Sequence, residues 1–285
     1  MGTEMMRSGL LALVLAAMPA WAQAPFFWVH ASDPQFGMYT ANKDFTQETA
    51  NWEFVIANVN RLKPAFLVVT GDLTNKDRDE AQITEYKRIN KMLNPAVHLY
   101  NVPGNHDLGN EPTSETLAAY RKTYGPDYYS FREGQVYGIV LNSSLFKAPV
   151  NVPAEAAKQE KWLEEELKKA QASGAVPIVF QHIPYFLENP DEPEVYSTLP
   201  IDTRKRVLSL LKRYGVHYVF AGHHHRNAFG KDGDLDMVTS SAAGMPFGPE
   251  GSGIRIEELK GRNVEHRFYP LSLIPNIYPV PPAKL

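Results

Sequence analysis

The stretch FLVVTGD, residues 66–72, contains the pattern on which the fold prediction rests. A short apolar run rich in β-branched and aromatic residues and followed by glycine is typical of a buried β-strand. This strand ends beside the carboxylate of Asp72. Four other apolar runs also end just before polar residues, and these are Phe27–Val29, Leu99–Tyr100, Ile178–Phe180 and Tyr218–Phe220. In an open α/β sheet the loops beyond the strand carboxyl ends converge on one crevice, so we expect these polar side chains to meet there.

The residues that follow the five runs are types that bind metal ions through oxygen or imidazole nitrogen. A single histidine or aspartate after a strand is more often a cap or a core partner. The repetition at five successive strand ends instead indicates a metal site. The chain has no cysteine, so thiolate ligands are excluded. The candidate ligands are Asp33, Gln35, Asp72, Asn105, His182, His223 and His225.

Composition places the chain among ordinary globular proteins. It has 285 residues, of which 44% are hydrophobic and 21% charged, and no repeat or linker divides it. The formal net charge is −3, and the lysines and arginines are scattered, so we expect no nucleic-acid partner. We therefore predict a single domain over residues 23–285, with its motifs between residues 33 and 225.

The N-terminus predicts export. Arg7 precedes an apolar stretch from Leu10 to Met18, and small residues at Ala20 and Ala22 suit a signal peptidase. We predict a signal peptide over residues 1–22, cleaved near Ala22, and a periplasmic or extracellular protein. The stretch is too short to span a bilayer, so no stable membrane anchor is expected. A buried N-terminal helix is the alternative.

Helical segments alternate with the strand-like runs. For the last of these helices, Asp202 or Thr203 is the expected N-cap and Gly215 the terminator. Three later strands follow without helices between them and suggest a second sheet or an antiparallel edge. Residues from about 270 to 285, which are rich in proline, resemble a tail. The predicted helices are Thr46–Leu62, Asp79–Leu93, Thr113–Tyr124, Ala154–Ala172 and Asp202–Tyr214, and the later strands are Asp236–Thr239, Gly253–Ile256 and Val264–Tyr269.

The motifs, taken in order, resemble those of the calcineurin-like metallophosphoesterases, and in longer strings those of the CPPED-type subgroup. One such string is Asp33-Pro34-Gln35-Phe36-Gly37. The resemblance implies an α/β fold, a four-layer αββα sandwich of two mixed β-sheets flanked by helices. The five blocks that carry it are Asp33-x-Gln35, Gly71-Asp72-x-x-Asn75, Gly104-Asn105-His106-Asp107, His182 and Gly222-His223-x-His225.

The resemblance also implies two metal ions that share Asp72. Most of the family has histidine where this chain has Gln35. An amide oxygen is a harder ligand than imidazole, so it should favour Mn or Mg over softer or ferric ions. We expect the two ions to be drawn from Mn, Fe, Mg and Zn. The implied ligand sets are Asp33, Gln35 and His225 for one ion, and Asn105, His182 and His223 for the other.

In the resembled family, His106 matches the residue that protonates the leaving oxygen or stabilises the transition state, and Asp107 would orient it. Two cations about 3.5–4 Å apart can hold a bridging hydroxide in line with the leaving group. We therefore expect a metal-dependent hydrolase of phosphate esters. Its leading substrates are phosphomonoesters, either phosphorylated small molecules or phosphoproteins. A phosphodiesterase for cyclic nucleotides or phospholipids, and a metal- or partner-binding module without turnover, stay open.

Neighbouring residues receive less specific roles. We interpret Asn75 as a residue that fixes its loop. His224 lies between two candidate ligands and should point away from them. Tyr185 and Phe186 could line the substrate cleft or belong to the core.

Overall fold

The computed structural model describes residues 25–279. The predicted signal peptide, residues 1–22, lies outside that range. The strands are β1 (Phe26–Ala31), β2 (Phe66–Thr70), β3 (His98–Val102), β4 (Tyr129–Glu133), β5 (Val136–Val140), β6 (Val176–Phe180), β7 (Tyr218–Ala221), β8 (Ala228–Asp232), β9 (Leu235–Thr239), β10 (Gly253–Lys260) and β11 (Asn263–Pro270). The helices are α1 (Thr46–Leu62), α2 (Glu80–Asn90), α3 (Asn105–Leu108), α4 (Ser114–Tyr124), α5 (Ser143–Lys147), α6 (Pro153–Ala172) and α7 (Ile201–Arg213).

The strands form two mixed sheets. The first has the order β11-β10-β1-β2-β3, with β1, β2 and β3 parallel and β10 antiparallel to β1. The second has the order β4-β5-β6-β7-β9-β8, with a parallel centre and antiparallel strands at both edges. Because the parallel strands of each sheet run the same way, the loops after β1, β2, β6 and β7 are able to meet.

Three apolar clusters hold the layers together. Between the sheets, Trp28 of β1 stacks on Phe66 of β2 with ring centroids 5.3 Å apart, and Phe66 meets Phe180 of β6 edge-on at 6.3 Å. Trp52 of α1 packs on the outer face of the first sheet. Leu163 of α6 packs on the outer face of the second. The expected four-layer αββα architecture is confirmed.

The structure places the helices close to the predicted segments. α2 and α4 begin one residue later than predicted, because Asp79 and Thr113 are N-caps whose side chains accept backbone N–H groups. The expected cap of α7 is wrong. Pro200 holds the extended backbone before this helix and caps it without a side-chain bond, so Asp202 lies inside the first turn.

The C-terminal segments divide between the two sheets. β10 and β11 form the antiparallel edge of the first sheet, whereas β9 joins the second. Residues 271–279, which we predicted to resemble a tail, pack against the first sheet. The ring of Tyr278 lies 4.6 Å from that of Phe27, and its hydroxyl donates to Glu258 over 2.7 Å.

Candidate metal centre

The candidate ligands meet at the carboxyl ends of the strands. The structure contains two groups of potential ligand residues, and within each group the ligand atoms all lie within 4.8 Å of one another. Asp72 belongs to both groups. One group adds Asp33 and His225, and the other adds His182 and His223. Asp72 follows β2 and therefore lies between the loop after β1 and the loops of the second sheet. This is the division into two sets that the motif resemblance implies.

In the first set, Asp33 Oδ1 lies 3.3 Å from His225 Nε2. The His225 ring is fixed because its Nδ1 donates to the carbonyl of Met245 over 2.5 Å. Gln35 is fixed in a similar way, since its Nε2 donates to Asn75 Oδ1 over 3.2 Å. These bonds leave His225 Nε2 and Gln35 Oε1 as the atoms available to a cation.

In the second set, His182 Nε2 is the central atom. It lies 3.2 Å from Asp72 Oδ2, 3.0 Å from Asn105 Oδ1 and 3.1 Å from His223 Nδ1. The other ring nitrogen, Nδ1, donates to the backbone carbonyl of Thr70 over 2.7 Å. That bond determines which nitrogen of His182 faces the cluster.

The backbone at the site has an unusual conformation. Five candidate ligands lie in the left-handed region, where non-glycine residues cost about 1–3 kcal/mol each. Such strain is tolerated where the surrounding structure determines the conformation, and it is concentrated at functional sites. The φ angles are 49° at Asp33, 41° at Gln35, 49° at Asp72, 69° at His223 and 54° at His225.

Two glycines allow the loops to approach. A Cβ atom at Gly104 would lie 2.1 Å from the backbone nitrogen of Asp72, and one at Gly222 would lie 1.7 Å from Ser32 Oγ. Neither distance is possible for real atoms. The glycines that open the Gly-Asn-His-Asp and Gly-His-x-His blocks are therefore required by packing at the site.

Burial and charge oppose one another in this cluster. Burial raises the pKa of Asp72, but the charge and hydrogen bond of His182, together with the charges of His106 and His223, outweigh it and hold that pKa well below its usual range. Burial would likewise lower the pKa of His182, yet Asp72 and Asp33 raise it to about 9. For His223, burial and the neighbouring His182 together lower the pKa to about 3. Two buried carboxylates thus need positive charge nearby.

Unpaired atoms indicate where that charge belongs. Asp33 Oδ1 and Gln35 Oε1 are buried, and neither has a hydrogen-bond partner among residues 25–279. A buried polar atom without a partner costs about 1–3 kcal/mol. Asp33 Oδ1 lies within the cluster of carboxylates and imidazoles, and the residue types there are a donor set that suits divalent ions such as Mn, Mg, Fe or Zn. The residues present therefore fit a metal centre.

His106 lies beside this cluster. Its backbone N–H donates to Asp72 Oδ1 over 2.8 Å, and its ring Nδ1 donates to the carbonyl of Asn75 over 2.7 Å. The ring forms part of the wall of a polar cleft with a volume of about 200 Å³. Because Nδ1 is occupied, Nε2 is the ring nitrogen that a molecule in the cleft could reach.

The predicted orientation of His106 by Asp107 is wrong. The Asp107 carboxylate accepts backbone N–H groups from Leu73 at 3.0 Å, Thr74 at 3.2 Å and Gly104 at 2.8 Å. Asp107 is buried, and burial together with the nearby Asp72 raises its pKa to about 7. It joins the loop after β2 to α3 and has no contact with the cleft, while the Asn75 carbonyl orients His106.

The structure also shows the positions of the other residues near the motifs. The Asn75 side chain bridges Gln35 and Asn42, as a loop-fixing residue should. His224 is partly exposed and belongs to neither ligand group. Tyr185 and Phe186 are fully buried in the core of the second sheet and do not line the cleft.

Two aromatic residues near the site were missed from the sequence. The Tyr196 ring lies 5.1 Å from the His223 ring, and the Phe247 ring stacks on His225 at 4.5 Å. Both side chains remain substantially exposed, at 63% and 49%. They lie on irregular loops outside the motif blocks, so no periodicity or spacing signal could have identified them.

Comparison with known proteins adds independent findings. A sequence profile of the family described as calcineurin-like phosphoesterase matches residues 29–227. Human serine/threonine-protein phosphatase CPPED1 is 38% identical over 278 residues, which covers 90% of this chain and 88% of the human protein. A probable cyclic nucleotide phosphodiesterase of Vesicomyosocius okutanii is 25% identical over 203 residues, covering 70% and 79% of the two chains.

The fold also matches solved structures. A dimetal phosphatase from Danio rerio superposes with a TM-score of 0.65 at 14% identity, covering 87% of this chain and 97% of that one. At this identity the likeness shows the fold alone.

The comparisons contradict the predicted export. The human relative, which aligns with 90% of this chain, is named as a phosphatase of serine and threonine in proteins. A relative of this kind, matched over most of both chains, does not support export, so the predicted periplasmic or extracellular location is withdrawn. Among residues 25–279, no helix is both long enough and apolar enough to cross a membrane.

Proposed function

Because this chain belongs to the calcineurin-like phosphoesterase family, we propose that it is a phosphatase acting on phosphoserine and phosphothreonine in proteins. The family and a metal-dependent phosphoesterase activity are established by the profile match and the 38% identical relative. The substrate class is the proposal. The name of that relative supports the substrate class. The observation that carries the phosphatase chemistry is the pair of ligand groups sharing Asp72 beside His106 in an open polar cleft.

We assign two divalent ions to the centre, with residues 23–285 forming one catalytic domain around them. When bound, such ions neutralise charge on the phosphoryl oxygens and lower the pKa of water. The hard amide oxygen of Gln35 favours Mn or Mg at the first set. The proposed ligands are Asp33, Gln35, His225 and Asp72 for one ion, and Asp72, Asn105, His182 and His223 for the other.

His106 is the proposed proton donor to the leaving oxygen. Its Nδ1 is held by the Asn75 carbonyl at 2.7 Å, so a proton given to the substrate comes from Nε2. A serine or threonine alkoxide is a poor leaving group and requires that proton. The backbone bond from His106 to Asp72 keeps the ring beside the reacting phosphate.

The cleft supports a phosphorylated polypeptide as the substrate. Its lining is rich in side-chain amides, and it also presents Lys76 and Asp77. Amide side chains can both donate to and accept from a peptide backbone. A cleft with few apolar groups is less suited to a lipid. The lining residues are Asn42, Asn75, Lys76, Asp77, Asn105, His106, Gly109 and Asn110.

The test compares substrates at saturating Mn. We expect hydrolysis of phosphoserine and phosphothreonine peptides and of p-nitrophenyl phosphate, with much slower hydrolysis of bis(p-nitrophenyl) phosphate. Equal or faster turnover of the diester or of cyclic nucleotides would replace the phosphatase proposal with a phosphodiesterase. An Asp72→Ala variant is the control. Wild type as inactive as this variant with Mn, Mg, Fe and Zn would leave only a binding module.

A further inference from the structure

A line of buried polar side chains runs from Asp33 into the apolar space between the two sheets. It consists of Ser32, Thr70 on β2, His30 on β1 and Glu257 on β10, and all four are fully buried. The surroundings are aromatic, since the Phe220 ring lies 5.8 Å from the His30 ring. Burying a carboxylate and an imidazole in such surroundings is costly, so their presence calls for an explanation.

These side chains are joined by consecutive short contacts. Glu257 Oε1 lies 2.9 Å from His30 Nδ1, and His30 Nε2 lies 2.7 Å from Thr70 Oγ1. Thr70 Oγ1 is 2.8 Å from Ser32 Oγ, which donates to Asp33 Oδ2. The chain of contacts therefore connects a carboxylate between the sheets with a proposed metal ligand.

Counting the protons in this chain of hydrogen bonds shows which group donates in each contact. The Asp33 carboxylate can only accept, so the Ser32 proton points to it. The contact between Ser32 and Thr70 must then use the Thr70 proton, and the contact between Thr70 and His30 must use a proton on Nε2. The last contact needs one more proton, either on His30 Nδ1 or on Glu257. His30 and Glu257 together therefore hold two protons and carry no net charge.

The direction of these hydrogen bonds determines which oxygen of Asp33 stays free to bind an ion. Its Oδ2 receives both the Ser32 hydroxyl and the backbone N–H of His223, the latter over 3.1 Å, whereas Oδ1 receives no donor from residues 25–279. The Ser32 hydroxyl has an alternative acceptor in the Thr70 carbonyl at 3.3 Å. A donor arriving at Ser32 Oγ from Thr70 makes that carbonyl the poorer choice, because the Ser32 proton must point away from Thr70.

We propose that Glu257 and His30 are positioning residues for the metal centre, acting through Thr70 and Ser32 to keep Oδ1 of Asp33 directed at the ion. The proposal rests on the proposed role of Asp33 as a ligand. It assigns a purpose to the buried pair, which lies too deep to touch substrate. Partners of this kind behind a metal ligand change metal affinity by roughly 10–100-fold when removed.

The experiment measures Mn affinity of the metal-free protein by titration calorimetry. Thr70→Val removes the middle hydroxyl and keeps the shape, while Thr70→Ser keeps the hydroxyl. His30→Phe keeps a flat ring but removes the nitrogen that donates to Thr70. We expect Thr70→Val and His30→Phe each to weaken Mn binding roughly tenfold or more, and Thr70→Ser to bind close to wild type. Because both changes break one chain, the double variant should lose less than the two single losses combined.

Val68→Ala is the matched control, since Val68 lies on β2 in the same space between the sheets and takes no part in the chain. It should lower the unfolding temperature and leave Mn affinity unchanged. If His30→Phe and Thr70→Val behave like Val68→Ala, both residues are structural and the proposal is rejected. An Asp33→Asn variant tests separately whether Asp33 is a ligand, which the positioning role presupposes. If it too leaves Mn affinity unchanged, the ligand assignment fails first.

Discussion

Two different atoms of the His106 ring face two different partners. Nδ1 is held by the Asn75 carbonyl, and Nε2 is left for the substrate. The motif identified His106 as a candidate, but it could not identify the residue that orients it. Asp107 is its neighbour in sequence, yet the short helix α3 turns that carboxylate toward the backbone of Leu73 and Gly104. Such a choice depends on loop packing, which a motif does not encode.

His106→Asn should therefore affect substrates unequally. With phosphoserine peptides we expect kcat to fall by roughly 10²–10⁴, because the alkoxide needs a proton as it leaves. With p-nitrophenyl phosphate the loss should be much smaller, since p-nitrophenolate leaves without protonation. Steady-state kinetics on both substrates, with Mn affinity as the control, measures the difference. Equal losses on both would remove His106 from the role of proton donor.

Gln35 stands where the motif resemblance leads us to expect histidine. Asn75 Oδ1 accepts from Gln35 Nε2, which leaves Oε1 as the amide atom able to bind an ion. We expect Gln35→His to raise affinity for Zn relative to Mn, because imidazole is the softer ligand. Competition titrations of the two ions would measure the ratio. Asn75→Ala is a useful companion, since it frees the amide to turn. An unchanged ratio in Gln35→His would show that residue 35 does not ligate.

The elements of this fold differ in how well their sequences specify them. The long helices were predicted to within about one residue at most of their ends, because amphipathic periodicity and capping act locally. The exception is α2, which ends at Asn90, three residues before the predicted end. The hairpin of β4 and β5 was missed, although Tyr129 and Phe131 alternate with polar residues, because its edge strand Tyr129–Glu133 is short and only half buried. The stacking of the two sheets was inferred from the motif resemblance, because no periodicity within one strand specifies its partner sheet.

The start of α3 provides a test at this scale. In Gly104→Ala, the added methyl would meet the backbone of Asp72, so α3 and the loop after β2 must separate. We expect loss of measurable Mn binding and of activity. Gly215→Ala after α7 is the control. Gly215 has a positive φ, which Gly104 does not, but it has open space around it, so this change should cost only about 1 kcal/mol of stability. Retained Mn binding in Gly104→Ala would contradict the packing argument.

At the scale of the whole molecule, the two sheets bring two carboxylates close together at the carboxyl ends of their parallel strands. Asp33 and Asp72 are both buried, and histidines supply the positive charge near them. Composition alone predicted one globular domain with ample core. The location could not be predicted from the N-terminus, because a short apolar stretch beside small residues is a local pattern that the rest of the chain does not test.

Metal binding should stabilise the whole fold. An ion that binds the folded state alone adds about 2.7 kcal/mol at a free concentration about 100 times its Kd. We expect the unfolding temperature in calorimetry to rise with Mn and to fall again on addition of a chelator. The Asp72→Ala variant, which lacks the shared carboxylate, should show almost no rise. A rise of the same size in that variant would place the stabilising ion elsewhere.

The left-handed conformation at five candidate ligands also limits how this centre can be re-engineered. Aspartate, asparagine and histidine are the non-glycine residues that most readily adopt that region. A designer can therefore exchange these three at Asp33, Asp72, His223 and His225 with little backbone penalty. Threonine and other β-branched residues would carry a conformational cost before any metal is considered. The backbone thus restricts the set of amino acids from which a new metal specificity can be chosen.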